Sequence, residues 1–163
     1  MTFNDGTSSG HARVALDLGI KEGDIISMPM ADACKIYKGD IVKVNAAGYA
    51  SNLVAAAGDS FLGVAVETVD NTSAVTGHAA GFKSVRVWAK RGQIHKFYKA
   101  TPVVDDVGLK AFSGVGTSSD SQTVVSAATT TGTSAIGIGL IVGFDATAGT
   151  VDVAIEPGFD ISS

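Results

Sequence analysis

Residues able to do chemistry are few, and their spacing argues against most reactions. Gly6-Thr7-Ser8-Ser9-Gly10 fits the Gly-x-Ser-x-Gly pattern of a nucleophile elbow. Such an elbow needs a buried strand before the serine and a helix after it. The first residues of the chain leave no room for that strand, so the match is one of chance. Gly137, Gly139 and Gly143 come within one residue of a dinucleotide fingerprint. That motif seats its phosphate on a helix N-terminus, whereas Asp145–Gly149 reads as a turn, and the glycines suit close packing of strands instead. His11, His78 and His95 stand singly, with no His-x-His spacing and no acidic neighbour to orient a metal-bound ring. Asp105 and Asp106, read on a strand, point to opposite faces, which suits neither a shared proton nor a metal. Cys34 is the only cysteine, which excludes an intrachain disulfide and a cysteine-based metal cluster. The pattern is not that of an enzyme, and no catalytic residue, cofactor or metal ligand is assigned.

Charge carries more information. From Asn71 to Val104 there are six bases (Lys83, Arg86, Lys90, Arg91, Lys96, Lys99) and no acid, while Ala111–Ser163 holds five acids and no base. One reading is a solvated sheet face. The other is a pair of oppositely charged surfaces that meet neighbouring subunits and fix their register. In the second reading Lys83, Arg86, Trp88, Lys90 and Arg91 form a partner-binding basic face, with Arg86, Trp88 and Lys90 on one side of an alternating strand. Aromatic residues interleave the bases as a stacking platform would, but the formal charge of the chain is −4, so no direct nucleic-acid contact is expected.

The elements that must position these groups are short strands. Glycine makes up 20 of the 163 residues, charged residues are 17% and hydrophobic ones 45%, a lean composition typical of β-rich chains with many turns. The length suits one domain or two small lobes. The N-terminus has neither a basic start nor an apolar run, so no secretory signal is expected. The longest apolar stretch, Ala135–Phe144, falls short of the ~20 residues a bilayer requires, so neither a membrane span nor a membrane partner is expected. Residues 1–27 read as an extended arm, with Phe3, His11, Arg13, Leu16 and Leu18 as its partner-binding residues. Residues 28–99 read as a first β-lobe and 100–163 as a second, giving an all-β fold of small sandwich or barrel lobes. A repeat supports duplication. Gly39–Lys43, Phe61–Val66 and Val85–Lys90 with Gly92 parallel Asp106–Lys110, Ile138–Val142 and Val151–Glu156 with Gly158. The few large apolar residues are assigned mostly to the core, which leaves little for a large obligate interface and implies weak self-association in solution.

Three runs, Lys38-Gly39-Asp40-Ile41-Val42-Lys43-Val44, Phe61-Leu62-Gly63-Val64-Ala65, and Ser84-Val85-Arg86-Val87-Trp88-Ala89 with Gly92, resemble the decoration (cement) proteins of tailed-bacteriophage heads. The resemblance is one of rhythm and covers roughly residues 28–158. It implies a non-enzymatic virion component, made in the host cytoplasm, that sits on the outer capsid surface and staples neighbouring capsid subunits. Its partners would be the major capsid protein and copies of itself, trimeric on the capsid. The competing expectation is a carbohydrate- or host-binding module of a tail or fibre, which would gather Trp88, Tyr49 and Tyr98 on one exposed face.

Overall fold

Alternation of apolar and polar residues over 84–88 turns one side of that segment inward: Val85 and Val87 are buried, Ser84 and Arg86 exposed. The same pattern recurs along the chain and builds antiparallel sheets. A computed structural model describes residues 24–52, 59–72, 78–113, 122–126 and 136–158. Phe3, His11, Arg13, Leu16 and Leu18, and with them most of the expected arm, lie outside the described residues. The strands are β1 (Ile25–Pro29), β2 (Lys35–Ile36), β3 (Ile41–Val44), β4 (Ala50–Ser51), β5 (Ser60–Ala65), β6 (Val69–Asp70), β7 (Ser84–Trp88), β8 (Ile94–Tyr98), β9 (Lys110–Ser113), β10 (Val124–Val125), β11 (Gly137–Asp145) and β12 (Thr150–Ile155). The fold is all-β.

Two five-stranded sheets share one plan. Their lateral orders are β1-β7-β5-β3-β4 and β8-β12-β11-β9-β10. Numbered along the chain within each set, both read first, fifth, fourth, second, third. In each, a parallel bridge brings the first strand to the third, Met30 to Ala50 and Tyr98 to Thr123, so each sheet curls toward a small barrel. Even the irregularities repeat. Opposite β3, strand β5 skips Leu62, with Gly63 facing Val42 and Phe61 facing Lys43. Opposite β9, strand β11 skips Ile138, with Gly139 facing Ala111 and Gly137 facing Phe112. A Cβ on Gly63 would lie 2.0 Å from the Trp88 carbonyl oxygen, and one on Gly139 2.1 Å from that of Ala154. Only glycine permits that approach.

Two sequence expectations need correction. Strand β8, read as part of the first lobe, pairs with β12. Gly92 N–H donates to the Ile155 carbonyl (2.7 Å) and Ile155 N–H to that of Gln93 (2.8 Å), which draws the chain into the second sheet ahead of residue 94. The change of sheet therefore falls within 89–93 rather than at 99–100. Asp105 and Asp106 lie in a short 3-10 helix, Val104–Asp106, not on a strand, and only Asp106 is buried. At the other end, β1 begins at Ile25 and pairs with β7, so the last residues assigned to the arm are sheet residues.

Two cores follow from this plan. Met30, Cys34, Ile36, Val42, Leu62 and Val87 belong to the core inside the first unit, beside which the β2–β6 pair lies. The second core combines the inner face of the second sheet with Ile41, Phe61 and Val64 of the first.

Candidate interaction face

The paired registers align the two units residue by residue. One rung of the first sheet runs Ile41–Val64–Trp88–Ile25 across four strands. Its counterpart in the second sheet runs Lys110–Leu140–Ala154–Ile94. Beside these rungs sit Lys43 and Phe61 in the first unit and Phe112 and Gly137 in the second. The environments diverge sharply. In the first unit Ile41, Phe61 and Val64 are buried beneath the core of the second. In the second unit Leu140, the counterpart of Val64, is 44% exposed, while at the far end of the rungs Ile94 (63%) and its counterpart Ile25 (37%) are both exposed. Lys110 lies along this face: a Cβ on Gly137 would come within 2.8 Å of its Cε, and its Nζ stands 5.5 Å from the Phe112 ring centroid. Large exposed apolar side chains concentrate in this half of the molecule: nine of the twelve among the described residues belong to 94–144. Among the described residues more large apolar side chains are buried than exposed, as expected, but those left exposed are unevenly distributed.

The expected basic face has a different character. Arg86 grips Glu67 bidentately, Nε to Oε1 and Nη2 to Oε2, both at 3.0 Å. Lys90 pairs with Asp24 (3.1 Å), Arg91 with Glu156 (3.3 Å) and Lys96 with Asp152 (3.0 Å). Lys83 Nζ donates to the Asp70 carbonyl oxygen at 2.6 Å. The run that lacks acids in sequence is thus supplied with them by the fold. Trp88 is half-buried on β7, so it is no open platform beside Arg86. The grouping of Trp88, Tyr49 and Tyr98 on one face does not occur either. Tyr49 packs against the first core, while Tyr98 stands 58% exposed on β8.

Several buried polar groups sit at the joins between elements. Asp40 accepts from Tyr37 N–H (2.9 Å), Asn52 Nδ2 (2.7 Å) and Gln122 Nε2 (3.1 Å), the last reaching across from the second unit. Asp106 plays a related part, accepting from Val103 N–H (2.8 Å) and pairing with Lys99 Nζ (3.0 Å). Burial opposes its charge, but hydrogen bonds from Val103, Ser126 and Lys99 outweigh that and hold its carboxyl below the ordinary value. Lys43 is only 5% exposed. Burial pushes its ammonium down to about 8, against the opposing pull of Asp59 and Cys34. His95, half-buried, is shifted down by burial. His78 stacks on Phe82 with centroids 4.1 Å apart, and Cys34 is buried with its thiol toward Asn52 Oδ1.

Sequence reasoning missed Ile94, Leu140 and Lys110. The available signal was the repeat itself, since aligning Gly63 with Gly139 places Leu140 on Val64, whereas the match of Lys110 to Ile41 emerges only from the strand registers. Among the described residues no helix is long and apolar enough to cross a membrane, and no group of three or more His, Cys, Asp or Glu residues is placed to hold a metal ion. No family model matches the chain, and neither curated proteins nor solved structures yield a match.

Proposed function

We propose that this chain is a structural virion protein that binds the outer surface of a capsid and staples neighbouring capsid subunits, with the outer face of its second unit as the docking surface. The observation that carries this reading lies on the rung Lys110–Leu140–Ala154–Ile94, where Lys110 and Leu140 are exposed while their counterparts in the first unit, Ile41 and Val64, are buried in the core shared with the second sheet. An apolar sheet face gains from meeting another flat apolar surface, at ~25 cal/mol per Å² removed from water. Contacts of modest strength, repeated over a shell and linked through one molecule, add avidity. In this reading the major capsid protein is the primary partner, and Phe3, His11, Arg13, Leu16 and Leu18 add a second contact. Copies of the chain then meet as trimers on the shell.

The test is a binding titration on undecorated tailed-phage heads with wild type and Ile94→Asp/Leu140→Asp. Wild type should saturate a fixed number of sites. The double variant should lose most of that occupancy while keeping its melting temperature, because exposed substitutions usually change stability by no more than ~0.5 kcal/mol. Undiminished occupancy of the double variant would remove the docking face, and failure of wild type to bind heads at all would remove the capsid reading.

A further inference from the structure

Main-chain hydrogen bonds match the two units beyond their strands and show where the second is left open. Gly39 N–H donates to the Ala65 carbonyl, and Gly108 N–H to that of Ile141, both at 2.9 Å. Asp40 N–H reaches back to the Tyr37 carbonyl as Leu109 N–H does to that of Asp106, both at 3.0 Å. These matches set Val103, Val104 and Asp105 on Cys34, Lys35 and Ile36. In the first unit that segment is sealed. The chain between β5 and β7 makes a long excursion that lays β6 along β2. Asn71 N–H donates to the Cys34 carbonyl (2.9 Å) and Ala33 N–H to that of His78 (3.2 Å), so Cys34 and Ile36 are buried. The second unit makes no such excursion. Strand β11 turns into β12 across 146–149, and 104–106 coils into a 3-10 turn instead of pairing. Val103, Val104 (65%) and Val107 stand exposed, and so does Val142 on the adjoining β11, next to the residue whose carbonyl takes the Gly108 N–H.

The excursion that seals the first unit presents an aromatic knob to solvent. Phe82 is 63% exposed and stacks on His78, with ring centroids 4.1 Å apart and planes 5° apart. Gly81 N–H donates to the Met30 carbonyl (2.8 Å) and Phe82 N–H to that of Ala79 (3.1 Å), which pins the turn carrying the knob. The knob and the open end differ in charge. Lys83, beside Phe82, gives its ammonium to the Asp70 main-chain carbonyl at 2.6 Å. At the open end Asp105 is exposed, and Asp145 accepts from the backbone N–H groups of Thr147 and Ala148. Among the described residues none of Lys83, Asp105 and Asp145 belongs to an ion pair. Both surfaces stay exposed within one chain, so a second copy is the occupant that offers each its complement: an aromatic ring for the valines, and a rim of opposite charge to orient it. We propose that copies of this chain associate head to tail, with the Phe82–His78 pair of one copy seated on Val103, Val104 and Val107 of the next and Lys83 facing Asp105 and Asp145. Unlike surfaces meet, so the contact is heterologous, and a free knob and a free seat remain until a ring closes. The proposal goes beyond the capsid reading and is tested without heads, so either can fail alone.

The experiment is sedimentation velocity of the full chain at concentrations up to about 1 mM, because a contact of this size is weak, with Kd on the order of 0.1–1 mM. Wild type should sediment faster as its concentration rises. Phe82→Ser removes the knob and Val104→Asp spoils the seat. Each alone should stay monomeric, a weakening of about tenfold or more, with an unchanged melting temperature because both side chains are exposed. Asp105→Lys is a second seat variant and should behave as Val104→Asp does. An equimolar mixture of Phe82→Ser with either seat variant should regain association and stop at a one-to-one dimer, since each protein supplies the surface the other lacks. A contact between like surfaces would not be restored by mixing. Monomeric wild type at 1 mM, self-association of any single variant, or a mixture that stays monomeric would each overturn the proposal.

Discussion

At the scale of single residues, the two units use their lysines differently. Lys110 lies along an exposed face, whereas Lys43, two positions past the matching residue Ile41, is buried opposite Phe61. Its folded-state value of about 8 lies below the ordinary 10.5. Between those values the unfolded chain binds more protons than the folded one, so the contribution of Lys43 to stability improves as pH rises through that window. At neutral pH the buried charge therefore costs stability, and Lys43→Met should stabilise the protein by about 1–3 kcal/mol. The advantage should shrink toward pH 10, which denaturant titrations at both pH values would reveal; an equal gain at pH 7 and 10 would contradict the burial argument. Asp106 has the opposite sign. Its carboxyl is held below the ordinary 3.8, so its contribution is present above that pH and fades as pH falls through the lower folded value. Asp106→Asn strands Lys99 in a largely buried setting and should cost about 3 kcal/mol at pH 7, with the difference from wild type narrowing below about pH 4.

At the scale of elements, the repeated glycine bulge does the positioning. Alternation normally sends every second side chain inward. The skipped residue in β5 and β11 breaks that rhythm, so Ile138 and Ile141, three apart, share one core, as do Leu62 and Ala65. Gly63→Ala and Gly139→Ala would each drive a Cβ into a backbone carbonyl of the neighbouring strand and should cost about 3 kcal/mol. Gly149→Ala meets no atom and loses only through its positive φ, about 1 kcal/mol. Equal losses at Gly139 and Gly149 in chemical unfolding would rule out the close-approach account. The strands themselves were legible in sequence because Val85 and Val87, or Val151 and Val153, alternate cleanly, and the repeat was visible because Gly63 and Gly139 interrupt similar apolar runs. Partnership was not legible. Strand β8 follows β7 so closely that pairing between them is the natural reading, yet the chain crosses to the second sheet. The charge balance was hidden for a related reason, since Arg86, Lys90 and Arg91 find acids 19, 66 and 65 residues away. The exposed rung was hidden too: alternation separates two faces without saying which is covered, and the bulge inverts them midway.

At the scale of the whole molecule, the two units are not equal partners. The first has an interior of its own, with the Met30–Ile36 segment contributing to it beside the β2–β6 pair. The corresponding segment of the second unit, after β8, carries the short 3-10 helix, and the second core is completed by Ile41, Phe61 and Val64 of the first unit. The second unit therefore depends on the first for its inner surface, whereas the first depends on the second only to cover an outer face. Residues 24–91 alone should fold but self-associate through the uncovered Ile41, Phe61 and Val64. Residues 92–163 alone should lack a fixed core and give poorly dispersed amide spectra. In the intact chain, Phe61→Ala removes a first-unit side chain from the second-unit core. It should cost about 3–5 kcal/mol and lower hydrogen-exchange protection in β11 and β12 as well as in β5. A well-dispersed spectrum from 92–163, or protection losses confined to β5, would show the units to be independent, and the outer face of the first unit would then be no guide to what covers the second.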